Sequence, residues 1–207
     1  MAGKLKVAVL ASGRGSNFQA LANACLAPDF PASITLLFVD NPGAGAVDAA
    51  EKLGVKTYVV DCGRFKGSMS KESSETICRI CSENGIGLVC LAGFMRIVKG
   101  KLLDEYSGRM MNIHPALLPS FKGLDAQKQA LDYGVKVSGC TVHFVDKGID
   151  TGPIVIQKSV PVLQEDTEES LGARILAMEH EAYPEAVRAF ADNRIEIFGR
   201  RVRINDE

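Results

Sequence analysis

The chain has 207 residues, 46% apolar and 24% charged, so it is long enough to bury a substantial core and has an ordinary globular composition. Its net charge of −1, without a basic block, gives no support for nucleic acid or an acidic membrane surface as a partner. No apolar run reaches the roughly 20 residues that a membrane-spanning helix needs.

Short apolar runs alternate with helical patterns in the first half of the chain. The valine-rich run 6–12 is typical of a strand covered on both faces, and it predicts a first strand rather than a signal peptide. Phe18, Leu21, Ala22 and Cys25 then follow at the spacing of one helical face. The same criteria predict strands at 34–41, 55–61, 87–94 and 109–114, and helices at 45–54, 72–84 and 98–108.

The second half of the chain changes character after residue 138. A helix is predicted at 124–134, and two β runs within 139–162 are separated by a turn rich in glycine and aspartate. Such a pair predicts an antiparallel addition to the sheet. After a long helix, the segment 195–204 predicts a closing hairpin around Gly199.

The long helix begins at a capping-box-like pair, Asp166 and Glu169. Its predicted buried face consists of Leu171, Ile175 and Met178. Pro184 lacks the N–H group that a helix interior uses, so we expect a kink or an interruption there.

Together these elements predict a single α/β domain over residues 1–207. We expect a doubly wound, Rossmann-like, mostly parallel sheet with an antiparallel C-terminal part and helices on both faces. The six scattered cysteines indicate reduced core cysteines of a cytosolic protein rather than a disulfide framework. Cys78 and Cys81 form a C-x-x-C pair, but they lack a second ligand pair and fall in a helical pattern, so no metal site is predicted.

A glycine-rich loop joins the first strand to the first helix. Gly15, Ser16 and Asn17 lie where free backbone N–H groups and the helix dipole favour a phosphate. The dinucleotide fingerprint fails because Phe18 replaces its third glycine, although Asp40 after the second strand mimics the ribose-binding acid. We predict a site for a single phosphate group; the alternative is a plain tight turn with Ser16 or Asn17 capping the helix.

Asn112 and His114 lie at the end of an apolar strand. Because they are two residues apart, their side chains point to the same face, at the edge where α/β sheets bind ligands. An amide can donate to a developing oxyanion and an imidazole can transfer a proton, so we predict a catalytic pair.

Two aspartates follow in the segment DKGIDTGPI, residues 146–154. Asp146 is interpreted as a turn former. Asp150 lies between Gly148 and Gly152, and if it reaches His114 its carboxylate would favour the imidazolium and fix the ring. The chain lacks G-x-S-x-G and H-E-x-x-H motifs, which disfavours an acyl-enzyme hydrolase or a metalloprotease.

Five motifs cover nearly the whole chain: SGRGSNFQA (12–20), LAGFMRIV (91–98), NIHPALLPSFKG (112–123), GCTVHFVDKGIDTGPI (139–154) and MEHEAYP (178–184). The third and fourth resemble the folate-dependent formyltransferase superfamily. The first and last are similar to its phosphoribosylglycinamide formyltransferase branch. The resemblance implies transfer of the formyl group of 10-formyltetrahydrofolate, as co-substrate, to the amine of N1-(5-phospho-D-ribosyl)glycinamide in de novo purine (IMP) synthesis.

The resemblance also implies roles for single residues. Asn112, His114 and Asp150 match the family's catalytic trio, in which a protonated His114 paired with Asp150 and the Asn112 amide would stabilise the oxyanion formed by direct amine attack. No metal and no covalent enzyme intermediate is implied. His143, in the VHF motif, has either a structural or a catalytic role.

Binding roles follow from the same resemblance. Residues 1–108 would form the phosphate-binding half and 109–207 the catalytic and folate-binding half. Glu179 would accept hydrogen bonds from the ribose hydroxyls. The phosphate would be bound by Gly15, Ser16 and Asn17, and the folate by Met95, Arg96, Ile97, Val98 and Asn112.

One position departs from the family pattern. The family commonly has an arginine in an S-R-E context, where this chain has Ser70, Lys71 and Glu72. Lysine keeps the charge but loses the planar fork of arginine. We expect Lys71 to make the cofactor contact, with Arg64 in the same loop as the alternative.

Two other functions stay open. A formyltetrahydrofolate deformylase would use the same trio with water as acceptor, and a non-catalytic nucleotide-phosphate-binding module would not need the trio. A methionyl-tRNA formyltransferase would need a C-terminal β-barrel domain and a basic surface. The expected partners are the two small-molecule substrates, without nucleic acid or membrane. We expect a cytoplasmic monomer or homodimer.

Overall fold

Strands and helices alternate along the chain in the predicted order. The structure, a computed structural model, describes residues 3–63 and 67–206. The strands are β1 (Leu5–Ala11), β2 (Ala32–Val39), β3 (Lys56–Val59), β4 (Leu88–Leu91), β5 (Met110–His114), β6 (Val137–Phe144), β7 (Ile154–Pro161), β8 (Ile195–Phe198) and β9 (Arg201–Ile204). The helices are α1 (Ser16–Cys25), α2 (Gly45–Lys52), α3 (Lys71–Glu83), α4 (Lys101–Glu105), α5 (Ala126–Tyr133) and α6 (Glu168–Ala191).

The main sheet has the strand order β3-β2-β1-β4-β5-β6-β7. Strand β1 pairs in parallel with β2 and β4, β2 pairs in parallel with β3, and β6 and β7 are antiparallel. The predicted fold, a mostly parallel sheet with an antiparallel C-terminal part, is therefore confirmed. Ligands of such sheets bind beyond the carboxyl ends of the strands, which directs attention to the residues after β1, β2, β4 and β5.

Internal contacts divide the chain into two compact units, Met1–Met111 and Asn112–Glu207. In the first unit, β1 is completely buried from Val7 to Ala11, and Phe18 and Leu21 of α1 are equally buried. A strand that is apolar on both faces must be covered on both faces, which explains its valine-rich sequence. The loop after β1 is thus anchored at both ends in the core.

The second unit is built around β6, which is buried from Ser138 to Phe144. Helix α6 packs against β6 and β7. Its contribution to the core consists of Leu171, Ile175, Tyr183, Ala186 and Val187, all completely buried. The predicted hairpin is also confirmed, since β8 and β9 pair antiparallel around Gly199, which has φ 60°.

The start of α6 differs from the prediction. Thr167 is the N-cap, and it forms a reciprocal capping box with Ser170, at 3.2 Å and 3.0 Å. Glu169 lies one residue too early to reach back to the cap. Asp166 instead binds the guanidinium of Arg174 at 2.8 Å and 2.9 Å.

Two expectations concerned the body of α6, the burial of Met178 and the effect of Pro184. Met178 is only half-buried, whereas the next residue, Glu179, is buried. The helix runs through Pro184 without interruption. Tyr183, Ala186 and Val187 pack in the core on both sides of the proline, and this packing offsets the loss of one helical hydrogen bond.

Cys78 and Cys81 lie in α3, as predicted, and all six cysteines are buried and outside disulfides. Within 3–63 and 67–206, no helix is long and apolar enough to cross a membrane.

Candidate active site

Strand β5 presents Asn112 and His114 at its carboxyl end. Met110, Met111 and Ile113 are buried and fix the strand in the core, while Asn112 is partly accessible and His114 is buried. The alternation of a strand places the two polar side chains on the same face. The sheet therefore fixes both groups on one rigid element.

The segment after β5 supplies two backbone groups to the site. The ring Nε2 of His114 lies 2.8 Å from the carbonyl oxygen of Phe121, and the N–H of Gly123 donates to Oδ2 of Asp150 at 2.9 Å. A carbonyl can only accept, so Nε2 of His114 carries a hydrogen and its Nδ1 is the variable nitrogen.

Asp150 lies between the other polar groups of the site. Its Oδ2 is 3.4 Å from Nδ1 of His114, and its Oδ1 is 3.5 Å from Nδ2 of Asn112 and 3.6 Å from Nε2 of His143. Its backbone has φ 49°, in the left-handed region, where aspartate occurs several times more often than most residues. The structure thus brings Asn112, His114 and Asp150 together.

His143 completes this cluster from β6. Its Nδ1 lies 2.8 Å from the carbonyl of Phe144, which can only accept, so Nδ1 carries a hydrogen, and its Nε2 lies 3.3 Å from Nδ2 of Asn112. Both contacts of the Asn112 amide, at 3.3 Å and 3.5 Å, exceed the usual length of about 2.9 Å. The amide N–H groups are therefore held loosely and can turn to a better acceptor.

Opposing influences act on the pKa of His114. Burial lowers the pKa of His114, and this effect outweighs the opposing influence of the Asp150 carboxylate and the Phe121 carbonyl. Burial alone would raise the pKa of Asp150, but His143 and the N–H of Gly123 hold it below its ordinary value. The resting pair is thus a neutral imidazole beside a carboxylate, not an imidazolium.

The His114 and Asp150 side chains can share one proton between Nδ1 and Oδ2. Nδ1 of His114 and Oδ2 of Asp150 both carry lone pairs, so at 3.4 Å they make no hydrogen bond until a proton arrives. A proton on Nδ1 would create a charge-assisted hydrogen bond to the carboxylate. The arrangement can therefore accept a proton from a reacting group and hand it on.

A buried network fixes the segment that carries Phe121 and Gly123. The hydroxyl of Thr141 donates to the carbonyl of Ala116 at 2.7 Å and accepts from the N–H of Leu118 at 3.0 Å. The amide of Gln157 donates to the same hydroxyl at 3.0 Å and to the Leu118 carbonyl at 2.9 Å. Side chains from β6 and β7 thus fix the backbone just before Phe121, whose carbonyl orients the His114 ring.

The loop after β1 has the geometry of a tight turn into α1. Gly15 is the N-cap with φ 79°, and a Cβ there would lie 2.6 Å from Cα of Ala46. No side chain caps α1, so neither Ser16 nor Asn17, which begin the helix, acts as the cap that the alternative interpretation proposed. The first N–H groups of a helix have no partner within it, which leaves donors for an anion at this end.

The segment Met95–Val98 follows β4 and pairs with another loop. Ile97 donates to the carbonyl of Gly67 at 3.1 Å and accepts from the N–H of Met69 at 3.2 Å. Both backbone groups of Ile97 are therefore engaged in this pairing.

The remaining predicted residues lie in different settings. Lys71 begins α3 with 82% of its side chain exposed and pairs with Glu75 at 3.8 Å. It lines a cavity of about 540 Å³ together with Ser68, Met69 and Lys99. Arg64 lies outside the described residues. Glu179 is buried on α6.

Sequence reasoning missed the groups that act through the backbone. The carbonyl of Phe121 and the N–H of Gly123 carry no side-chain signature. It also missed Ser12, whose hydroxyl accepts from the N–H of Met95 at 2.9 Å. Thr141 and Gln157 had a weak signal, since each is a polar residue within an apolar strand.

In the described part of the chain, no group of three or more His, Cys, Asp or Glu side chains is arranged to hold a metal ion.

This sheet order, with a glycine turn after β1 and polar groups at the end of β5, defines a doubly wound α/β protein, a class whose ligands bind at the carboxyl ends of the strands. The formyl transferase family model matches residues 5–187, and the chain belongs to that family.

Individual relatives support this assignment. The chain is 39% identical to the phosphoribosylglycinamide formyltransferase of Bacillus subtilis, over 88% of this chain and 93% of that protein. It is similar to the crystal structure of glycinamide ribonucleotide transformylase 1 from Symbiobacterium toebii, with a TM-score of 0.94 and 44% identity, covering 100% of this chain and 96% of the other. It is 41% identical over 94% of its length to the human trifunctional purine biosynthetic protein adenosine-3, but spans only 19% of that protein.

Proposed function

We propose that the protein transfers the formyl group of 10-formyltetrahydrofolate to the amine of N1-(5-phospho-D-ribosyl)glycinamide in purine biosynthesis. The observation that carries this proposal is the cluster of Asn112, His114 and Asp150 at the end of β5. The Asn112 amide is a loosely held donor, and Nδ1 of His114 faces the Asp150 carboxylate where a proton can be accepted. Direct transfer to an amine needs both functions. The names of the formyltransferase relatives point to the same reaction.

In this reaction the amine nitrogen attacks the formyl carbon and the carbonyl oxygen becomes an oxyanion. The Asn112 amide turns from its long contacts to donate to that oxyanion. Nδ1 of His114 takes the proton released by the attacking nitrogen, and Asp150 stabilises the resulting imidazolium. The imidazolium then gives the proton to the folate nitrogen as its bond to the formyl carbon breaks.

Substrate binding is assigned to separate elements. Gly15, Ser16 and Asn17 bind the phosphate through the start of α1, because an anion suits the backbone N–H groups and the dipole at the N-terminus of a helix. Glu179 accepts hydrogen bonds from the ribose hydroxyls.

The folate is assigned to the segment Met95–Val98, together with Asn112. The backbone groups of Arg96 and Val98 bind the pteridine edge, since those of Ile97 are engaged with Gly67 and Met69. Lys71 contacts the acidic part of the folate.

The remaining assignments follow from the same function. Residues 1–108 form the phosphate-binding half and 109–207 the catalytic and folate-binding half of one domain. The partners are the two small-molecule substrates, and the protein is a monomer or a homodimer. The location is cytoplasmic, because six cysteines outside disulfides suit a reducing compartment.

The test is formyl release from 10-formyltetrahydrofolate by the purified protein, with and without the ribonucleotide. We expect release only with the ribonucleotide, matched by formylated product. Equal release without it would establish a deformylase, and no release with folate bound would establish a binding module. Asp150→Asn is expected to lower turnover by about 10²–10⁴-fold.

A further inference from the structure

A nearly buried ion pair joins the end of β2 to the segment Met95–Val98. Nε of Arg96 donates to Oδ2 of Asp40 at 2.7 Å, and the two side chains are only 17% and 6% exposed. Neither the chemistry of the β5 cluster nor the phosphate loop uses this pair. Its burial and short distance distinguish it from surface pairs, which contribute little.

The pair belongs to a set of contacts around one segment. The N–H of Met95 donates to Ser12, Ile97 is bonded to Gly67 and Met69, and Arg96 is bonded to Asp40. Three consecutive residues are thus tied to three different parts of the first unit. Met95 and Ile97 themselves are exposed and Val98 is the one buried apolar side chain of the segment, so polar contacts provide much of what fixes Met95–Ile97.

Asp40 is the charged member of this set. Its Oδ1 is buried and has no hydrogen-bond partner among the described residues, so the carboxylate depends on Arg96 for compensation. The bond to Asp40 also raises the pKa of Arg96. A buried carboxylate opposite a guanidinium holds the arginine in one geometry, because leaving either charge alone is costly.

We propose that Asp40 is a positioning residue that orients the folate-binding backbone of Arg96 and Val98 by holding the Arg96 guanidinium. This inference rests on the proposed folate site. It assigns the Arg96 side chain to internal support and its backbone to ligand recognition. Asp40 itself does not contact the ligand.

The test combines kinetics with folate binding in Asp40→Asn, which keeps the size of the side chain and removes its charge. We expect the KM for 10-formyltetrahydrofolate and the Kd for tetrahydrofolate to rise about tenfold, while kcat and the KM for the ribonucleotide change less than about threefold. An unchanged KM and Kd would overturn the proposal.

Asp166→Asn is the matched control. It removes a carboxylate from another partly buried pair, with Arg174, in which the side chains are 3% and 27% exposed. We expect it to lower the melting temperature without changing the KM or Kd for folate. A rise in the control equal to that in Asp40→Asn would overturn the proposal, because general loss of stability would then explain both.

A double-variant cycle tests the route of the effect. If Asp40 acts through Arg96, Asp40→Ala combined with Arg96→Ala weakens folate binding no more than the larger single change. If the double variant weakened folate binding by the product of the two single effects, Asp40 would act independently of Arg96 and this route would be contradicted. If Asp40→Asn fails to fold, Arg96→Lys decides, since it keeps a cation opposite Asp40 but loses the Nε donor; unchanged folate binding would overturn the proposal.

Binding separates this inference from the proposed function. A wild-type protein that binds tetrahydrofolate without transferring formyl, and binds it more weakly after Asp40→Asn, would refute the function and support the inference. A wild-type protein that neither transfers formyl nor binds folate would refute both.

Discussion

At the scale of single residues, His114 is defined by two different neighbours. The Phe121 carbonyl fixes a hydrogen on Nε2, and Asp150 faces the lone pair of Nδ1. Burial keeps the ring neutral at rest, while the carboxylate makes protonation easier than burial alone would allow. A group that must both take and release a proton benefits from such opposing influences.

This balance predicts the titration of His114. Its pKa lies below the ordinary 6.5, and Asp150→Asn moves it lower still, because the carboxylate that favours the imidazolium is lost. NMR titration of the ring protons measures this directly, since the chain has three histidines that single His→Gln variants assign. A pKa that rises in Asp150→Asn would contradict the assignment.

A second prediction concerns Asn112. Asn112→Ala removes the proposed oxyanion donor, so we expect kcat to fall by about 10²–10³-fold with little change in either KM. Steady-state kinetics with both substrates measures this. Because Asn112 is also proposed to contact the folate, a change confined to the folate KM would show that its role is binding alone.

At the scale of elements, side chains of strands β6 and β7 hold the segment that carries Phe121 and Gly123 in place. Thr141 is completely buried, and its hydroxyl takes part in three hydrogen bonds that join Ala116, Leu118 and Gln157. The backbone groups at Phe121 and Gly123 follow a few residues later. Precise placement of His114 and Asp150 therefore depends on a residue that touches neither.

Thr141→Val tests this dependence. The change keeps the shape but leaves buried polar groups without partners, so we expect a loss of about 2–3 kcal/mol in the free energy of unfolding and about a tenfold loss in kcat. Denaturant unfolding and kinetics measure the two effects. Thr141→Ser keeps the hydroxyl and is expected to retain both; equal losses in the two variants would show that packing, not hydrogen bonding, matters.

The elements also show what the sequence allowed us to predict. Periodicity and valine-rich runs located the seven strands of the sheet, and the i, i+2 spacing of Asn112 and His114 predicted their shared face correctly. The cap at Thr167 was missed because Asp166 is an equally good capping type, and only the backbone decides which residue stands outside the helix. The lowering of the His114 pKa by burial was not predicted, because the extent of burial depends on packing that no local pattern reveals.

At the scale of the whole molecule, ligand binding is expected to change stability. A ligand that binds only the folded state at about 100 times its Kd adds about 2.7 kcal/mol, which corresponds to a rise of about 5–10 °C in the melting temperature of a chain this size. We expect glycinamide ribonucleotide to produce such a rise. Thermal unfolding with increasing ribonucleotide measures it.

Two glycine variants locate the origin of this stabilisation. Gly15→Ala places a Cβ 2.6 Å from Cα of Ala46 at a left-handed position, so the ribonucleotide-dependent rise is expected to shrink strongly. Gly13→Ala meets nothing within 4 Å and serves as the control with an intact rise. An undiminished rise in Gly15→Ala would place the phosphate elsewhere.

The use of backbone groups at Phe121 and Gly123 bears on how this region can evolve. Chain length between Pro119 and Gly123 matters more than side-chain identity, because a carbonyl and an N–H are present whatever the residue. A mutational scan should accept asparagine or glycine for Phe121, whose φ is 52°, while rejecting β-branched residues. Deleting a single codon there should abolish growth that depends on the enzyme, because it would move both backbone groups away from His114 and Asp150.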